Sequence, residues 1–241
     1  MEARGPDFDP SRWARVAGVL YLVIIGLGML GELGVRGTLV VPGDAGATLS
    51  HIAASPGLWR AGIVGDLLMQ VCDVPMIVIF YLLLRPVNRG VALFAALINL
   101  VQTAVLVVNK LGLVLPLLLL DGSGALGALA ADQRAALALL AIELHTQGFG
   151  IGLIFFAFTC LANGWLIWRS GFLPRALGVL QAVAGLSYLV NSLALLLAPP
   201  LAAALFPYVL LPAFVGELLP ALWLSIQGVD RGRWDLSRRA A

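Results

Sequence analysis

Glu32, Asp66, Asp73, Glu143 and Glu217 are carboxylates set in stretches that otherwise hold almost only apolar residues, and Lys110 and His145 share that setting. A charge in hydrocarbon is costly, so such residues face a protein interior or a wet cavity, where they pair, carry protons or bind ions. Two chemistries fit these residue types. Carboxylates without a fixed counter-charge can hold a small solute, a cation or a proton. Carboxyl groups kept neutral by burial can instead act as general acid and base on a lipid or isoprenoid. Asp73 and Glu217, helped by His145, are the catalytic candidates for that second chemistry.

The elements that must position these residues are membrane helices. The chain has 241 residues, 61% of them hydrophobic and 12% charged. Soluble domains are about half apolar and a quarter charged. The apolar residues come in blocks long enough to cross a bilayer, which takes about 20 residues of helix. The expected fold is therefore all-α, a polytopic membrane helical bundle. Its six transmembrane helices fall near 13–36, 58–84, 91–120, 135–168, 176–198 and 204–228. Residues 1–12 read as a disordered tail, 13–228 as one transmembrane domain and 229–241 as a basic tail. Residues 45–54, between two Pro-Gly breakers, read as a short surface helix.

Arginine placement sets the expected topology. Arg4, Arg12, Arg15, Arg85, Arg89, Arg169, Arg175, Arg231, Arg233, Arg238 and Arg239 fall on alternate connections, 11 of the 15 Lys and Arg residues. The positive-inside rule then puts both termini in the cytoplasm and the protein in the cell membrane as a multi-pass protein. Tryptophans 13, 59, 165, 168, 223 and 234 lie near helix ends, where interfacial anchors belong.

That topology assigns depths. Glu32 and Arg36 are one turn apart and can pair. Asp66, Gln70 and Asp73 follow i, i+4, i+7 spacing and form one stripe, with Arg60 at its outer mouth. Asn99 and Gln102 share a face, with Asn109 and Lys110 two turns further out. Glu143 and Gln147 share another, with His145 beside them. Gln181, Tyr188 and Asn191 form a stripe on the fifth helix, and Glu217 lies between Pro212 and Pro220 on the sixth. Most of these residues converge on the outer half of the bilayer, which predicts a polar, acid-rich pocket there. Its expected ligand-binding residues are Glu32, Arg60, Asp66, Gln70, Asp73, Gln102, Asn109, Lys110, Glu143, His145, Gln147, Asn191 and Glu217. Five acids face three bases (Arg36, Arg60 and Lys110), so at least two acids lack an obvious partner.

Several classes are excluded or unsupported. The basic residues form no patch with interleaved aromatics, so no nucleic acid is expected. Short alternating strands of a β-barrel are absent. The first apolar run is too long for a cleavable signal peptide. Cys72 and Cys160 make no CxxC, and His51 and His145 are the only histidines, so no zinc ribbon, covalent haem or bis-histidine haem is expected. Glu143, His145, Asp66 and Glu217 offer a mixed N/O metal set as a weaker variant. No cofactor is predicted. The expected partners are the lipid bilayer and a small-molecule, proton or lipid ligand. A homo-oligomer would offset the small size of six helices for alternating access. An assembly or helper subunit is a third functional class, with the polar residues docking another membrane protein.

Specific segments also carry a resemblance. They are RVAGVLYL at Arg15–Leu22, Trp59-Arg60 with Gly65-Asp66, LLLRPVNR at Leu82–Arg89, LHTQGFGIGL at Leu144–Leu153, SGFLPRALGVL at Ser170–Leu180 and PAFVGE at Pro212–Glu217. In these the chain resembles DUF4386, a family of uncharacterised bacterial multi-pass membrane proteins, over about residues 12–228. The resemblance implies a six-helix membrane protein and brings no activity with it.

Overall fold

The structure, a computed structural model, describes residues 8–240, and all regular structure among them is helical. Helix α1 spans Pro10–Leu39. The Asp9 carboxylate accepts from Ser11 N and Arg12 N, capping its start, and Pro10 needs no partner at the first helical position. Residues Leu30–Arg36 of α1 form a π-helical stretch. Helix α2, Ala45–Ala54, is capped by Asp44, which accepts from Ala47 N at 2.8 Å. Then come α3 (Pro56–Leu84), α4 (Arg89–Asp121), α5 (Ala131–Ser170), α6 (Arg175–Leu197), α7 (Pro199–Leu205), α8 (Tyr208–Ile226) and α9 (Arg231–Ala240). Six of them, α1, α3, α4, α5, α6 and α8, are long and apolar enough to cross a membrane.

These six match the six expected spans, and the expected short helix at 45–54 is α2, with Thr48 and Ile52 buried. The ends differ where capping overrides hydropathy. Helix α5 begins four residues early, at Ala131, with Asp132 in its first turn. The sixth span starts at Tyr208 rather than 204, because Pro199 and Pro200 open the separate α7 instead of ending structure. The basic tail is α9, a folded helix. Of the expected disordered tail, residues 1–7 lie outside the described residues, while Pro10, Ser11 and Arg12 are helical.

The contacts divide the chain into two compact units. The first holds the residues up to Leu22, Cys72–Gln102 and Leu153 onward; the second holds Val23–Val71 and Thr103–Gly152. In the first unit, small residues bring helices to backbone contact, as membrane interfaces require. A Cβ on Gly18 of α1 would overlap the backbone of Ser225 on α8. The two ends of the chain also meet in this unit. Arg231 pairs with Asp9 at 2.7 Å, the Phe8 and Trp234 rings lie 5.7 Å apart, and the Trp234 indole donates to Leu83 O at 3.0 Å.

The second unit packs Trp59, Ile52, Val35, Leu39, Leu113 and Ile142 into one apolar core. The buried Trp59 indole donates to Leu113 O at 2.8 Å and ties α3 to α4. Many of its outward positions are apolar too: Leu33, Val64, Val108 and Leu144 are 61–64% exposed. A face of exposed leucine and valine opposite a core that contains charges is the arrangement of a membrane helix bundle.

Candidate functional site

In the second unit four helices bring five chemistry-bearing side chains into one continuous ladder. Glu32 and Arg36 come from α1. Both belong to the π-helical stretch, and a widened helical turn of this kind is frequent at functional sites. Their ion pair closes at 2.8 Å between Arg36 Nε and Glu32 Oε2. Arg36 then reaches across to α3, where its other nitrogen lies 2.8 Å from Asp66 Oδ2. The same Asp66 oxygen receives Lys110 Nζ of α4 at 2.9 Å. Lys110 Nζ lies 3.2 Å from His145 Nε2 of α5. An ammonium has only protons to give, so Nε2 accepts and the imidazole proton sits on Nδ1.

Local sequence explains each placement. A Cβ on residue 31 would lie 2.6 Å from Asp66 Oδ1, so only glycine there lets the carboxylate approach α1. Lys110 sits at a break in α4: its amide bonds back three residues, to Val107 O, and the regular helix resumes at Leu111. Pro116 lies six residues on and cannot donate to the carbonyl of Gly112. Asn109 donates to His145 O at 2.9 Å, and Gly148 makes the room for it, since a Cβ there would overlap Asn109 Oδ1. Phe149 flanks the buried end, with its ring 5.8 Å from Lys110 Nζ and 6.4 Å from the imidazole.

Burial is graded along the ladder. The Glu32 side chain is 62% exposed, Arg36 12%, Lys110 3% and Asp66 1%. His145 is buried as well. Two cations therefore converge on one enclosed carboxylate oxygen, and the second acid sits at the rim. Removing one partner of such an arrangement strands charge in a medium that cannot solvate it.

The first unit holds a second polar group. Glu217 of α8 is buried and neighbours the Tyr188 hydroxyl of α6; its Oε1 has no hydrogen-bond donor among the described residues. Gln181 donates toward the Tyr21 hydroxyl at 3.4 Å and toward Cys160 Sγ at 3.5 Å. Asn99 donates toward Asp73 Oδ1 at 3.4 Å. Gln102, Thr159 and Ser192 are buried in this unit too.

The expected site residues thus fall into two groups, one in each unit. Glu32, Asp66, Lys110, Asn109 and His145 come together, joined by Arg36. Gln70 belongs to their unit and is buried, with its Oε1 unpartnered among the described residues. Asp73, Gln102, Asn191 and Glu217 belong to the other unit, with Asn191 half-buried. The i, i+4, i+7 stripe of Asp66, Gln70 and Asp73 is buried throughout, as its spacing requires. Glu143 and Arg60 are exposed and enter no ion pair among the described residues. Gln147 is only half-buried. No group of three or more metal-ligating residues that could hold a metal ion occurs among the described residues. In the ladder itself two carboxylates meet two cations.

Sequence reasoning missed Tyr21 and Cys160 as polar neighbours. Tyr21 was findable: Ala14, Ala17, Gly18 and Tyr21 repeat at helical spacing and form the buried stripe of α1. Cys160 carried no such signal.

Among known proteins, an uncharacterised protein of the archaeon Archaeoglobus fulgidus is similar, 27% identical over 169 residues, covering 69% of this chain and 83% of its own. No solved structure matches. Five of the six apolar helices, most of α1 and the segments around Asp66 and His145 lie inside the stretch, residues 16–228, over which the chain belongs to the family described as a domain of unknown function, DUF4386.

Proposed function

We propose that this protein resides in the cell membrane with both termini in the cytoplasm, and that it binds or passes a proton or a small charged solute at the Glu32–Arg36–Asp66–Lys110–His145 ladder. The observation that carries this reading is the unbroken run of contacts from an exposed carboxylate to a buried imidazole. The carboxylates, Lys110 and His145 can exchange protons, while Arg36 stays charged and can exchange only its counter-ion. A solute bearing charge competes for Asp66 or for the two cations that hold it, and occupancy then rearranges the pairs. The arginine distribution supports the orientation, since 11 of 15 basic residues fall on alternate connections.

Reconstitution into liposomes tests the reading. With an imposed pH gradient and a trapped pH-sensitive dye, the wild-type protein should dissipate the gradient faster than empty liposomes. Asp66→Asn should abolish the difference and His145→Gln should reduce it, while Glu143→Gln should leave it unchanged. Wild-type flux equal to that of empty liposomes, with and without candidate charged solutes, would sink the proposal.

A second reading rests on Glu217. This buried carboxyl lies beside Tyr188 and within electrostatic reach of Asp73, a pair that would serve acid–base chemistry on an apolar substrate. Extraction of membrane lipids from cells carrying wild type or Glu217→Gln tests it: a lipid species that changes between the two supports an enzyme, and identical profiles oppose one.

A further inference from the structure

The arginines of the alternate connections are expected as topological anchors, and for that role their mutual arrangement is immaterial. Three of them are arranged. In the first unit Arg85 and Arg89, from the turn between α3 and α4, and Arg169, from the end of α5, line one cleft of about 480 Å³ together with Asn88, Trp165 and Ser237. No acid lines it. None of the three guanidinium groups enters an ion pair among the described residues, whereas Arg231 and Arg233 on the neighbouring α9 pair with Asp9 and Asp230.

The three arginines are exposed, and their surroundings are held by specific contacts. Asn88 accepts from Val91 N at 2.9 Å and so fixes the start of α4 beside Arg89. The Arg169 guanidinium lies 5.4 Å from the centre of the Trp165 ring, which restrains it over an aromatic face. Ser237 is delivered by α9, which is anchored two residues before Arg85 by the Trp234 bond to Leu83 O. Three segments distant in sequence therefore close on one space that carries three unneutralised positive charges.

We propose that this cleft binds a phosphate-bearing anion, supplied either by the headgroup of an anionic phospholipid or by a soluble phosphate compound. Guanidinium forks match phosphate oxygens in pairs, and a phosphate gains most where several forks converge without a competing carboxylate. Trp165 would border the ligand at the level where tryptophan rings meet lipid headgroups. The proposal does not depend on the ladder of the second unit.

Native mass spectrometry of the full-length protein in detergent tests it, with phosphatidylglycerol, phosphatidylcholine or inorganic phosphate added. Wild type should retain phosphatidylglycerol over phosphatidylcholine, or bind inorganic phosphate with a change in Trp165 fluorescence that Trp165→Phe removes. The first outcome identifies a lipid source and the second a soluble one. The double variant Arg85→Gln/Arg169→Gln should weaken the bound anion about tenfold or more, the scale of losing charge-assisted hydrogen bonds. Arg175→Gln, an exposed arginine outside the cleft, should leave binding intact. Equal retention of the two lipids with no phosphate binding would overturn the proposal. So would a double variant that binds like wild type, or an equal loss in Arg175→Gln.

Discussion

Lys110 Nζ and Asp66 Oδ2 lie 2.9 Å apart, with the two side chains 3% and 1% exposed. An ion pair so enclosed has no water to fall back on, and its worth shows only when one partner is removed. Asp66→Asn leaves the Lys110 and Arg36 charges without their shared acceptor. The expected cost is about 3–5 kcal/mol, the usual penalty for breaking a buried pair. Thermal unfolding in detergent measures it. Adding Lys110→Met to Asp66→Asn should recover part of the loss, so the double-mutant cycle should be strongly non-additive.

The close approach of Asp66 to α1 makes Gly31 a specific requirement. Gly31→Ala puts a methyl group 2.6 Å from Asp66 Oδ1 and should lower the unfolding temperature. Gly26, one and a half turns earlier, has nothing within 4 Å of where its Cβ would stand. Gly26→Ala should be neutral or stabilising by up to about 1 kcal/mol, as for glycine in an open helix interior. Equal effects from the two substitutions would mean that the ladder does not need the gap.

Trp59 tests the framework of the second unit rather than its charges. Trp59→Phe keeps most of the apolar volume and deletes the donor to Leu113 O. Loss of that hydrogen bond should cost about 1 kcal/mol. Trp59→Phe should also leave any Asp66-dependent flux measurable at low temperature, which separates folding from function.

In the first unit, Trp234→Phe removes the bond that holds α9 to Leu83 O. Limited trypsin digestion should then cut faster at Arg231, Arg233 and Arg238 than in wild type. An unchanged cleavage rate would show that the Asp9–Arg231 pair and the Phe8 contact suffice to hold the helix.

Much of the fold was legible because hydrocarbon imposes a simple rule. Twenty apolar residues in a row have few other uses, and Pro-Gly breakers and arginine pairs mark where each run stops. The Glu32–Arg36 pair and the buried Asp66–Gln70–Asp73 stripe followed from helical spacing alone. Spacing does not reveal rotation, however. Glu143 and His145 are two residues apart and therefore lie on different faces of α5; only the packing of α4 against that helix, through Gly112 and Ala141, decides that His145 is the inner one. Nor does a depth estimate group residues. Asp66 and Asp73 share a stripe on one helix but belong to different compact units, because each takes its neighbours from different partners. The Gly31 gap was hidden for a similar reason: Gly26, Gly28, Gly31 and Gly34 look alike in sequence, and only Gly31 faces a carboxylate.

The meeting of Asp9 with Arg231 spans 222 residues of chain. During synthesis the first helix enters the membrane long before its eventual partner has been translated. Asp9 keeps no guanidinium, and Leu83 no indole, until the ribosome has passed the last crossing. A chain arrested before Arg231 would lack both contacts.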